Sequence, residues 1–200
     1  VGSEMCIRDR DYLAAIDAPG IATRAGALYD AADNMTDRMA ALETLRDMDD
    51  PERDRVLDDF AQVWADYPLV MDKWLRLQAM TRRDDSVERV RTLLADERFD
   101  FTNPNRIRAL LGGFARGNRP GFHRADGAGH ALVADEILRL DALNPQLAAA
   151  LAGILAPWRR HVASQADGMY AALERLSAAE LSDNTREIVD AGLERSGAAA

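Results

Sequence analysis

Three histidines, one cysteine and several carboxylate runs are the groups in this sequence that could bind a metal or move a proton. None of His123, His130 and His161 stands in H-E-x-x-H, where two imidazoles one helical turn apart hold zinc and the glutamate acts as base. His123 and His130 are seven residues apart, but Gly127 and Gly129 interrupt any helix between them. They therefore read as loop and surface histidines, with a metal site the lesser alternative. Cys6 is alone, which excludes an intramolecular disulfide or a cysteine zinc site and points to a reducing compartment. Asp47, Asp49 and Asp50, and again Asp84 and Asp85, bring carboxylates together, but at expected helix ends, where aspartate caps and faces water. No phosphate-binding glycine loop and no G-x-S-x-G nucleophile elbow is present. Trp64, Trp74 and Trp158 lie on or beside apolar stripes and read as core. No catalytic residue and no metal ligand is assigned. Nothing here does chemistry alone.

The elements that would position such groups are helices. Val56, Leu57, Phe60, Val63, Trp64 and Tyr67 recur every three or four residues, as do Val87, Val90, Leu93 and Leu94. Ile107, Leu110, Leu111 and Phe114 form a further stripe, and Met169, Tyr170, Leu173 and Leu176 another. No run alternates strictly, so the class is all-α. Asp50-Pro51, Asn103-Pro104 and Asn144-Pro145 each set a capping side chain before a proline at the first helical position. Asp85 with Glu88 suggests a capping box. These signals predict helices over 11–17, 22–32, 36–48, 51–66, 69–81, 86–96, 104–116, 129–142, 145–155, 158–176 and 183–195, the penultimate one open to a break at Gly168. The two Asn-Pro starts are 41 residues apart, the length of a HEAT or armadillo repeat. The architecture expected is an irregular α-solenoid of antiparallel helix pairs, with a compact bundle as the alternative.

Composition bounds the function. A net charge of -9 and a pI near 4.8 argue against nucleic acid and against anionic membranes as partners. No apolar stretch approaches the ~20 residues of a membrane helix, and the opening lacks the order of a signal peptide. A cytoplasmic protein fits best. Residues 1–10 (VGSEMCIRDR) resemble translated sequencing-adapter DNA, so the native chain is expected to begin upstream of Asp11, and Cys6 then carries no information. Residues 11–195 form the expected helical domain, and 196–200 a frayed tail.

Four segments in order carry a family resemblance: NMTDRMAAL at 34–42, VMDKW with LQA at 70–79, NPNRIR at 103–108, and FHRADGAG at 122–129 followed by Asn144-Pro145-Gln146. Together they resemble the C-terminal helical domain of bacterial aminopeptidase N, a zinc metallopeptidase of the gluzincin class. The resemblance covers roughly residues 11–195. It implies an upstream catalytic domain in the same chain that holds the zinc, the general base and the amine-binding motif. It also implies that the helical domain caps a cavity admitting peptides. The parent enzyme would remove N-terminal residues, with a broad preference for basic and small apolar side chains, while this stretch alone would be inactive and bind no cofactor. Two departures stand out: His130 replaces a usual tyrosine, and near Ala150 this sequence lacks a cavity-facing arginine that some relatives carry.

Arg106 and Arg108 sit in the first turn of a helix, where the helix dipole disfavours cations, so another interaction must keep them there. Two residues apart, they point in different directions, and at most one shares the buried face. The resemblance implies that Arg108 turns to the cavity, together with Gln146 in the matching turn 41 residues later. Arg108 would hold a backbone carbonyl or the C-terminal carboxylate of a peptide. The bland reading is that both arginines only bridge acidic neighbours. From a different class, a free-standing solenoid scaffold for a protein partner remains the alternative function. An independent hydrolase lacks a nucleophile or metal set.

Overall fold

The computed structural model describes residues 19–194. The predicted helix 11–17, the segment 1–10 and the tail 196–200 lie outside the described residues. The helices are α1 (Ile21–Ala31), α2 (Met35–Leu45), α3 (Pro51–Val63), α4 (Pro68–Ala79), α5 (Ser86–Leu94), α6 (Pro104–Ile107), α7 (Gly113–Gly117), α8 (Arg119–Phe122), α9 (Ala128–Asp141), α10 (Pro145–Leu155), α11 (Ala163–Ser177) and α12 (Asp183–Glu194). A π turn, Arg108–Gly112, joins α6 to α7, and a 3-10 turn, Trp158–Arg160, precedes α11. Among the described residues there is no strand, and no helix is long and apolar enough to cross a membrane.

The three proline starts are capped as their sequences suggest. Asp50 accepts from the Glu52 N–H at 2.8 Å, Asn103 from Asn105 at 2.9 Å and Asn144 from Leu147 at 3.1 Å. The capping box at Asp85 and Glu88 does not form. Asp85 has φ -84° and ψ 9°, not the extended backbone that aims a capping side chain at its own helix, and it accepts from Arg83 at 3.2 Å instead. Glu88 pairs with Arg124 at 3.0 Å.

Three further expectations need correction. The stripe that was to run through Val63 and Tyr67 stops early, because α3 ends at Val63 and leaves both exposed. The predicted helix 104–116 contains a π turn, in which the Gly113 N–H reaches back five residues to the Arg108 carbonyl where the helix presses on α4. The break expected at Gly168 falls instead at His161 and Val162, both extended, and Gly168 lies inside α11.

Packing follows chain order. Helix α1 packs on α2 and α3, α3 on α4, α4 on α5 and the π turn, α5 on α8 and α9, and α10 on α9, α11 and α12. This neighbour-to-neighbour pattern is that of a solenoid. Its period also shows in the hydrogen bonds that tie one layer to the next. Arg106 donates to the Pro68 carbonyl 38 residues away, Asn118 to Ala79 over 39, and Thr185 to Pro145 over 40. Asp141 accepts from the Ser182 N–H over 41. The core between the layers holds Tyr29, Phe60, Phe114, Phe122 and Ile137, all nearly inaccessible.

Candidate functional site

The pair Arg106 and Arg108 divides as the spacing requires. Arg106 is buried and donates to Asp72 at 2.9 Å and to the Pro68 carbonyl at 3.1 Å, so α4 supplies the anion that offsets the helix dipole. Arg108 is exposed and reaches the side-chain oxygen of its own-turn neighbour Asn105 at 3.3 Å. Gln146 is exposed in the first turn of α10. The bridging of acidic neighbours thus applies to Arg106 and leaves Arg108 with an outward face.

The histidines depart from the loop-and-surface reading. Gly127 has φ +73°, a left-handed conformation that glycine adopts at no steric cost, and it turns the chain back after α8. Gly129 then passes so close beneath α8 that a Cβ would lie 2.2 Å from the Gly121 carbonyl oxygen. This return brings His130 Nε2 to 3.0 Å from His123 Nδ1, and the His161 ring to 4.8 Å from that of His123. His130 is 1% exposed. Gly168 makes room for it, since a Cβ there would meet His130 Nδ1 at 2.5 Å. The glycine marked as a helix break is therefore a point of close approach.

The tautomers follow from satisfaction of donors. His130 Nδ1 is buried with no hydrogen-bond partner among the described residues, and an orphaned N–H costs more than an orphaned lone pair. His130 therefore donates through Nε2 to His123 Nδ1, and His123 keeps its proton on Nε2. Burial, with His123 and His161 close by, pushes His130 down to about 4. Burial, followed by His161 and Arg119, lowers His123 as well. Two of the ring nitrogens face each other across one proton, and His161 engages Gln165 at 3.1 Å through Nδ1. That donor set does not converge on a centre and does not fit zinc. Among the described residues no group of three histidine, cysteine or acidic side chains could hold a metal ion.

His123 and His161 line an open basin of about 490 Å³ between α7–α8 and α10. Arg116 and Arg119 stand on its α7–α8 side, and Ala150 and Gly153 of α10 form a floor of small residues. Buried Asn118 fixes the approach to α8: it donates to the Ala79 and Thr81 carbonyls and accepts from the Gly121 N–H at 2.9 Å. Sequence reasoning passed over Arg116 and Arg119. Asn118-Arg119-Pro120, a further Asn-led start with proline in the first turn, is the signal that would have found α8.

The all-helical layers, each packed on its chain neighbours, define an α-solenoid domain. A family model described as "Domain of unknown function (DUF3458_C) ARM repeats" matches residues 9–194, and the chain belongs to that family. It is 42% identical over 166 residues to aminopeptidase N of Caulobacter vibrioides and 44% identical over 168 residues to that of Haemophilus influenzae. These alignments cover 82% and 83% of this chain but 19% of each relative, so the chain spans about a fifth of their length. Among solved structures it is similar to Legionella pneumophila aminopeptidase A in complex with aspartic acid, with TM-score 0.89 and 31% identity over 94% of this chain and 22% of that one. The resemblance to the helical domain of bacterial aminopeptidase N holds across the chain, and the relatives are peptidases.

Proposed function

We propose that this chain is the cavity-capping helical domain of a cytoplasmic zinc aminopeptidase, joined in one polypeptide to a catalytic domain that holds the metal. Arg108 and Gln146 form part of the wall that peptides pass. The observation that carries the reading is the split of the arginine pair. Arg106 is consumed by Asp72, while Arg108, in the same turn, faces outward with no carboxylate partner among the described residues. An outward guanidinium two residues from a buried one suits a peptide carbonyl or carboxylate. The domain itself takes no part in bond cleavage; it encloses, orients and limits what reaches the active site. Similarity that runs through nearly the whole chain to peptidases supports this over a free-standing scaffold.

The test is kinetic, in the complete enzyme. Arg108→Ala should raise KM for peptides of several residues by about fivefold, a modest loss for a solvent-facing charged contact, and leave single-residue chromogenic substrates unchanged. Equal effects on both substrate types, or none on either, would return Arg108 to a structural role.

A further inference from the structure

We infer that the basin between α7–α8 and α10 is a carboxylate-binding subsite, with Arg116 and Arg119 as its charged arms and His123 and His161 beside them. The inference rests on the proposed function for the source of its ligand and names the substrate group that function leaves open. Its first support is charge. The chain carries net charge -9, and Arg46, Arg53, Arg55, Arg83, Arg98, Arg106, Arg124, Arg139 and Arg175 all sit against carboxylates. Arg116 and Arg119, like Arg38, Arg89 and Arg186, have no such partner among the described residues, but those three donate to carbonyl or amide oxygens, whereas Arg116 and Arg119 line a basin that no aspartate or glutamate borders. In so acidic a protein, two cations beside a carboxylate-free depression leave a positive site without its counter-charge.

The second support is how the site is held. Asn118, fully buried, ties the turn that carries Arg119 to the end of α4. His123 is held through its hydrogen bond to buried His130, with its protonated Nε2 left as a donor. Two guanidinium groups match the planar oxygens of a carboxylate, and a neutral imidazole N–H adds a donor without a further charge. The third support is shape: about 490 Å³ over Ala150 and Gly153 leaves room for a chain end with its last side chain. The carboxylate so held is that of a peptide, from its C-terminus or from an acidic side chain near it. Arg108, which does not line the basin, is then left with a backbone carbonyl.

The experiment uses the complete aminopeptidase with Arg116→Gln and Arg119→Gln combined, and Arg108→Ala alongside. One peptide series is assayed as free acids, as C-terminal amides, and as amides with glutamate at the last position. The double variant should raise KM for free acids roughly tenfold and leave the plain amides unchanged, the worth of about one charge-assisted hydrogen bond. The same rise confined to the glutamate amides also supports the subsite and assigns it to side-chain carboxylates. An equal change in all three forms, or none, overturns it. If Arg108→Ala still separates peptides from chromogenic substrates, the chamber reading survives that loss. If neither variant moves any peptide, both fail.

Discussion

Helices α6 and α10 begin alike and then diverge. Each opens on Asn-Pro with the asparagine oxygen bonded to the following turn, and each stands one repeat from the other. At the position 41 residues after Arg106, α10 has Leu147, buried at 6% exposure. One layer thus holds its neighbour with an ion pair and the next with an aliphatic side chain. Beyond the first turn, α6 enters a π turn and continues into α7 with Arg116, whereas α10 runs regularly with Ala150 and Gly153 on its open side. The repeat preserves the cap and the buried face; the outward positions are free to differ, and there the chemistry collects.

The largest expected effect breaks the ion pair that distinguishes the two layers. Arg106→Leu, which copies α10, should destabilise the protein by about 3 kcal/mol, because the partly buried Asp72 is left without its cation. Joining it to Asp72→Leu should recover most of that loss; denaturant midpoints of the two variants check the prediction. If Arg106→Leu alone is neutral, the layers are interchangeable and the comparison fails.

Acid should weaken the layer around α9 before the rest. The folded pKa of His130 lies below its unfolded value near 6.5, so its contribution is complete above that value and fades as pH falls toward about 4. The loss across that window is about 3 kcal/mol. Carboxylates act lower: Asp96, held down by its hydrogen bonds with Arg98, loses its contribution only as pH falls below the ordinary carboxylate range. Thermal unfolding followed from pH 7 to 4 should show the histidine phase, and a flat profile between 6.5 and 5 would contradict the buried, neutral His130.

The smallest effect tests the shared feature. Asn103→Ala and Asn144→Ala should each cost about 1 kcal/mol, and by similar amounts, since each asparagine oxygen satisfies one first-turn N–H, that of Asn105 in α6 and that of Leu147 in α10. A loss at one site alone would mean that the two starts are alike in sequence but not in energy.

What the sequence disclosed follows the same division. The helices were legible because their apolar spacing, prolines and caps are local signals, and the parting of Arg106 from Arg108 was legible because residues two apart in a helix do not share a face. The histidine cluster was not. It depends on Gly127 turning the chain back and on Gly129 and Gly168 leaving space for His130, and a glycine in sequence does not say whether it breaks a helix or admits a neighbour. The π turn is likewise set by packing against α4. Arg116 and Arg119 were missed because the step from α7 to α8 rests on Asn118 bonding to residues 37 and 39 positions away.

That this chain works as one domain of an aminopeptidase is tested most directly by the genomic DNA sequence upstream of the codon for Asp11. One open reading frame should run through this point and encode H-E-x-x-H upstream of it. An in-frame stop followed by a start codon immediately before this domain would contradict it and favour a free-standing solenoid.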